Sequence, residues 1–96
     1  MSGIELGNHV YRIVTLGPER ARLEIHSTLS DTIIAYPRHS ILSLTYNEAG
    51  GQIDIMLING FSVVIPIPFK SLGGERDMRS LPKLKRLFSE LADMIS

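Results

Sequence analysis

The first two thirds of the chain alternate apolar and polar residues with a period of two, the period of a β-strand. Turn-forming Gly, Pro, Asn and Asp residues divide residues 8–69 into about six predicted strands. Asn59-Gly60 is the strongest turn signal, because Asn-Gly favours a two-residue hairpin between apolar strands. Pro66 and Pro68 remove two N–H donors from the same side of the last strand, so this strand is either a sheet edge, which we favour, or has already left the sheet at that point.

The pattern changes to a helical period near the C-terminus. Residues 70–80 are rich in Gly and charge and predict a connector. Residues 81–95 predict an amphipathic helix, with Ser80 as a candidate N-cap and Pro82 in the first turn. The predicted apolar stripe comprises Leu84, Phe88, Leu91 and Ile95, widened by Leu81, Leu87 and Met94.

A run of strands followed by one helix is typical of an α+β domain. We therefore predict a single domain over residues 1–96, with strands over about 8–69, the connector 70–80 and the helix 81–95. The predicted architecture is a strongly bent antiparallel sheet of about six strands, capped by the C-terminal helix. The helix stripe must bury against another surface, and the sheet is the surface available.

This order of elements resembles the pleckstrin-homology-like superfold in its bacterial form. The resemblance rests on the segments Thr32–Tyr36, Ile41–Tyr46, Gln52–Val64 and Leu81–Ile95. That family normally has seven strands, and its basic inositol-phosphate loop corresponds here to the short turn Gly17–Arg20. The resemblance implies a binding scaffold, without implying a lipid headgroup as the ligand.

Charge and composition exclude several classes of protein. The 96 residues carry 10 basic and 10 acidic side chains, so a chain-wide basic field for nucleic acid is absent. The chain has no Cys, which excludes a disulfide scaffold and a thiol nucleophile. Residues 1–9 do not resemble a secretory signal, and polar residues interrupt the apolar segment 53–69, so no membrane span is predicted. These features predict a cytoplasmic protein.

Residues that could carry catalysis are scattered. His9, His26 and His39 lie in different segments, whereas a metal site needs ligands that converge. Gly50-Gly51 and Gly73-Gly74 lack the Lys-Ser/Thr that follows a phosphate-binding loop. We therefore predict that the protein is not an enzyme and that it uses no metal and no cofactor.

Positive charge is concentrated in residues 70–86, which we call the basic segment. It contains six basic residues against Glu75 and Asp77, a net of four positive charges. Basic groups at a helix start oppose the helix dipole, so a binding role is one explanation. The alternatives are a solvated helix face and a contact with nucleic acid or phosphate. The candidate partner-binding residues are Arg76, Arg79, Lys83 and Arg86.

Apolar residues are in excess around the Asn59-Gly60 hairpin, since both faces of its strands carry them. One explanation is a curved sheet that wraps its own core. The other is self-association, most simply as a twofold dimer, because large exposed apolar patches mark interfaces. The candidate self-association residues are Ile53, Ile55, Val64, Pro66 and Pro68.

The sequence thus favours a regulatory or protein-interaction module that forms a homodimer and binds a protein with an acidic surface. A weaker second patch combines Tyr36, Arg38 and Tyr46, residue types enriched at binding hot spots. The alternative function is binding of a small ligand, nucleotide or phosphate in the sheet concavity, with the basic segment holding the phosphate. A nucleic-acid partner is less favoured, because stacking aromatic residues are lacking in the basic segment.

Overall fold

The computed structural model describes residues 3–17, 19–69 and 74–96. They form seven strands and one α-helix, with 3₁₀ turns at Arg38–Ser40 and Met78–Ser80. The strands are β1 (Ile4–Leu6), β2 (His9–Thr15), β3 (Ala21–Ser27), β4 (Ile33–Pro37), β5 (Ile41–Asn47), β6 (Gln52–Leu57) and β7 (Ser62–Pro66). The helix, α1, spans Leu81–Ile95, as the apolar spacing predicts. The α+β class is therefore confirmed.

The strands form two antiparallel sheets rather than one bent sheet. The first sheet has the order β1-β2-β3-β4 and the second the order β5-β6-β7. Pro37 ends β4 and the 3₁₀ turn Arg38–Ser40 follows at once, so the chain leaves the first sheet and starts the second there. The sequence pattern missed β1, which is only three residues long and pairs Ile4 with Tyr11 of β2.

The core lies between the two sheets and α1. Leu84, Leu87 and Leu91 of the helix are fully buried, and α1 contacts β1, β2 and β3 of the first sheet and β5 and β6 of the second. The buried stripe is completed by Met94, whereas Phe88 and Ile95 are only partly buried. The helix is thus rotated slightly from the predicted stripe, because it must present one row of leucines to both sheets.

The start of α1 differs in detail from the prediction. Ser80 occupies the N-cap position, but its side chain makes no capping hydrogen bond. Instead, the Asp77 carboxylate accepts a hydrogen bond from the Arg79 N–H at 3.2 Å in the preceding 3₁₀ turn. Of the predicted connector, residues 70–73 lie outside the described residues, and Arg76 pairs with Phe69 as an isolated β-bridge.

The Asn59-Gly60 hairpin is confirmed, and β7 is the edge of the second sheet. The Ile67 N–H donates to the Gly51 carbonyl at 2.9 Å, so the nitrogens of Pro66 and Pro68 face the free side. That side cannot donate to a further strand where the prolines stand. The Pro68 carbonyl accepts from the Asp77 N–H at 2.8 Å, which covers the end of this edge.

Replacement of Leu87 by alanine tests the packing of α1. Leu87 is fully buried, so the Leu87→Ala variant should lose about 2–5 kcal/mol of unfolding free energy in urea denaturation. Ser89→Ala, on the exposed side of the same helix, is the matched control and should stay within about 0.5 kcal/mol of the wild type. Equal losses in both variants would contradict the packing described here.

Candidate self-association and partner-binding surfaces

The outer face of the second sheet is apolar and exposed. Alternation along β6 buries Ile53, Ile55 and Leu57 and turns Met56 outward. The register places Val64 of β7 opposite Asp54 on that same outer side. A β-bulge between Ile41 and Ser43 adds Leu42, which is 65% exposed, beside Met56. We call the outer hairpin face the set Leu42, Met56, Ile58, Val64 and Pro66. Phe61 lies at the hairpin tip opposite Leu57, on the other side of the strand, and is not part of this face.

Charge is almost absent from this surface. The sequence of β5, β6 and β7 contains a single charged residue, Asp54, which accepts a hydrogen bond from the Gln52 amide at 2.8 Å. The remaining polar side chains of the outer strands are neutral hydroxyls and amides, as at Ser43, Thr45 and Ser62. Depletion of charge is the compositional feature that distinguishes the centre of a protein interface from ordinary surface.

Two of the predicted self-association residues are wrong. Ile53 and Ile55 are 0 and 1% exposed, because their side of β6 faces the helix and the other sheet. They belong to the core and cannot contact a second chain. Val64 and Pro66 are exposed on β7, and Pro68 is half-buried beyond its end. Sequence alternation shows that residues 53 and 55 lie on one face of the strand and residue 56 on the other. It does not show which of the two faces is turned toward the core.

The structure separates the basic residues by their contacts. Arg76 lies over the Phe69 ring, 5.6 Å from its centroid, and its Nη1 donates to the Gly51 carbonyl at 3.5 Å. Arg79 pairs with Asp77 at 3.1 Å, with 86% of the arginine side chain exposed. The Arg76 side chain therefore makes contacts within the fold, whereas the Arg79 side chain is largely exposed to solvent.

The basic residues of α1 also have partners within the chain. Lys83 donates to the Glu5 carbonyl of β1 at 3.4 Å, and Lys85 pairs with Glu48 at 3.3 Å. Arg86 lies 3.7 Å from Glu90, one helical turn further along. Lys83 and Lys85 thus link the start of the helix to the two sheets, and exposed pairs of this kind contribute little stability.

Tyr36, Arg38 and Tyr46, the predicted second patch, are each partly buried. Both tyrosines pack against the core, and the Tyr46 ring lies 5.5 Å from that of Phe88. The Tyr46 hydroxyl is buried and has no hydrogen-bond partner among the described residues. Arg38 donates to the Ser96 carbonyl at 3.3 Å. The Tyr46 ring, which suggested a binding hot spot, thus packs β5 against the helix.

The outer side of the first sheet is mixed in character: β3 carries charged side chains, which lie beside Val10 and Val14 of β2 and Ile33 of β4, a residue that is 58% exposed. On β3, Arg22 Nε donates to Glu24 at 2.6 Å, and His26 Nε2 donates to the other carboxylate oxygen at 2.9 Å. The hydrogen bond from His26, followed by that from Arg22, lowers the pKa of Glu24. Charged residues in this arrangement favour contact with water.

The sheet concavity predicted for a small ligand is filled by the protein itself. Leu23, Ile65 and Leu87 are fully buried there, together with other residues of the core. The centre of this space is therefore occupied by core side chains, and binding of a small ligand stays a prediction. Within residues 3–17, 19–69 and 74–96, no three His, Asp or Glu side chains are grouped so that they could hold a metal ion.

In the part of the chain that the structure describes, no helix has the length and apolarity to span a bilayer. Comparison with protein-family models, with curated proteins and with solved structures finds no significant match to this chain.

The Glu24 contacts predict a pH dependence of stability. Because folding lowers the pKa of Glu24, its contribution is fully present above the unfolded value, near 4.5, and is lost as the pH falls through the folded value. In urea denaturation from about pH 6 to pH 3, Glu24→Gln should therefore flatten the acid-side fall in unfolding free energy. Arg22→Gln should flatten it in part. Parallel curves for wild type and Glu24→Gln would contradict this role.

Proposed function

We propose that this chain is a non-enzymatic interaction module that self-associates through the outer hairpin face. The observation that carries the proposal is the nearly uncharged character of this exposed apolar surface. In the first sheet, the outer side of β3 has its own network of charged groups, formed by Arg22, Glu24 and His26. The three strands that carry the outer hairpin face contain a single charged residue, Asp54.

The exposed apolar side chains of this face are of the kind that fills the centre of a dimer interface. Leu42, Met56, Ile58 and Val64 are between 41 and 65% exposed. A standard interface buries about 800 Å² per partner, of which roughly 450 Å² is apolar. A second copy of the same face would supply the matching surface through a twofold axis.

Packing of face against face is favoured over addition of strands at β7. Pro66 and Pro68 deprive the free edge of β7 of two N–H donors. A second chain therefore cannot extend the second sheet through a regular ladder at this end. The side chains of Met56 and Val64, which stand on the sheet surface, remain available for contact.

We also propose that a protein with an acidic surface binds at the start of α1. It is supported by the exposure of Arg79 and Lys83, which follow one another on the same side of the chain one turn apart. Arg86 continues this row and pairs with Glu90. Arg76 contributes to the fold and is not part of the proposed contact.

The pleckstrin-homology-like resemblance supports a binding scaffold of this kind. The described residues form seven strands in sheets of four and three, followed by one C-terminal helix, and seven is the strand number usual in that family. On the basis of this arrangement, we propose that the chain has a scaffold related to that superfold. Fold similarity does not by itself assign a ligand, and the interaction role rests on the outer hairpin face.

Substitution of Val64 tests self-association. In sedimentation velocity over micromolar to millimolar concentrations, the wild type should reach twice the chain mass of 10.7 kDa. Val64→Lys places a charge in the apolar contact and should weaken the dimer at least about tenfold, which corresponds to about 1.4 kcal/mol.

The matched control is Leu29→Lys. Leu29 is 77% exposed in the turn between β3 and β4, away from the second sheet, so this variant should dimerise like the wild type. Circular dichroism establishes that both variants are folded. A wild-type mass of one chain at every concentration, or equal dimerisation by Val64→Lys, would overturn the proposal.

A further inference from the structure

A groove that shares Pro66 with the outer hairpin face lies between the β1–β2 turn and the end of β7. Its volume is about 510 Å³, within the range of small-molecule sites. It is lined by Leu6, Gly7, Asn8, His9, Tyr11, Pro66, Pro68 and Phe69. We call it the proline groove. None of these residues is acidic, and none is Lys or Arg.

The walls of the groove are held in place by the backbone. Gly7 has a φ of +62°, a conformation that favours glycine, and a Cβ at this position would lie 3.1 Å from Pro68 Cβ. Glycine therefore lets the β1–β2 turn approach the proline end of β7. On the far side, Arg76 lies over the Phe69 ring, while 61% of Phe69 stays exposed.

The exposed rings of the groove belong to His9, Pro66 and Phe69, whereas Tyr11 is only 5% exposed and lies at its base. His9 and Tyr11 lie side by side, with centroids 6.1 Å apart and planes tilted by 41°. Pro66, Pro68 and Phe69 provide the opposite wall. Aromatic groups pack favourably against such rings, with about 0.5–1.5 kcal/mol per aromatic pair beyond the burial of area.

The polar groups of the groove indicate a second property of the ligand. The side chains of Asn8, His9 and Tyr11 make no hydrogen bond to another described residue. Burial raises the pKa of Tyr11, so its hydroxyl stays protonated and can donate. A ligand with a hydrogen-bonding atom could use these groups, whereas a charged ligand would lose its hydration without an opposite charge.

We propose that the proline groove binds a small uncharged aromatic molecule that carries one hydrogen-bonding group. Indole has these properties and serves as the probe. Pro66 belongs to both surfaces, but His9 and Phe69 lie outside the outer hairpin face, so the substitutions that test the groove leave that face unchanged.

Titration of the full ¹⁵N-labelled chain with indole tests this proposal. Saturable shift changes should appear at His9, Tyr11 and Phe69, with a Kd of about 1 mM or lower. Phe69→Ala should weaken binding about two- to tenfold, by loss of one ring contact. Phe61→Ala removes an equally exposed Phe at the other end of β7 and should leave the Kd unchanged.

His9→Ala changes the opposite wall and should also weaken binding. It tests the groove even if Phe69→Ala does not fold. Indole-3-acetate, which adds a negative charge to the same ring, should bind more weakly than indole. The proposal is overturned by an absence of saturable shifts, by shifts confined to Met56 and Val64, by equal affinity in folded Phe69→Ala, or by tighter binding of indole-3-acetate.

Discussion

The fold depends on the contact of one helix with two sheets. Neither sheet can bury its inner apolar side alone, since each has few strands and a separate set of edges. Leu84, Leu87 and Leu91 fill the space between them from a single row of α1. The core therefore exists only when α1 is packed against both sheets, although α1 is formed by the C-terminal residues.

This closure determines which surfaces remain for function. A single helix covers the inner faces, so the outer face of each sheet stays open to solvent. The first sheet carries the hydrogen-bonded cluster of Arg22, Glu24 and His26 on that side, which suits contact with water. The second sheet carries Met56 and Val64 with hardly any charge, which suits contact with protein. The two outer faces thus differ in chemistry.

The sequence predicts the helix, the hairpin at Asn59-Gly60 and the edge position of β7, because each depends on local periodicity or on turn chemistry. It does not predict β1, since Ile4–Leu6 is too short for its alternation to be distinguished. It also misplaces Ile53 and Ile55, because alternation defines two faces of a strand and only packing decides which is buried. The bulge that exposes Leu42 leaves no mark in the hydrophobic pattern.

The central claim, that one row of leucines joins the two sheets, is tested most directly by nuclear Overhauser effects from the methyl groups of Leu87 and Leu91. In a methyl-labelled sample, the account predicts contacts from these leucines to residues of β1–β3 and also to residues of β5 or β6. Contacts to one sheet alone, or loss of helical shifts over Leu81–Ile95, would contradict it.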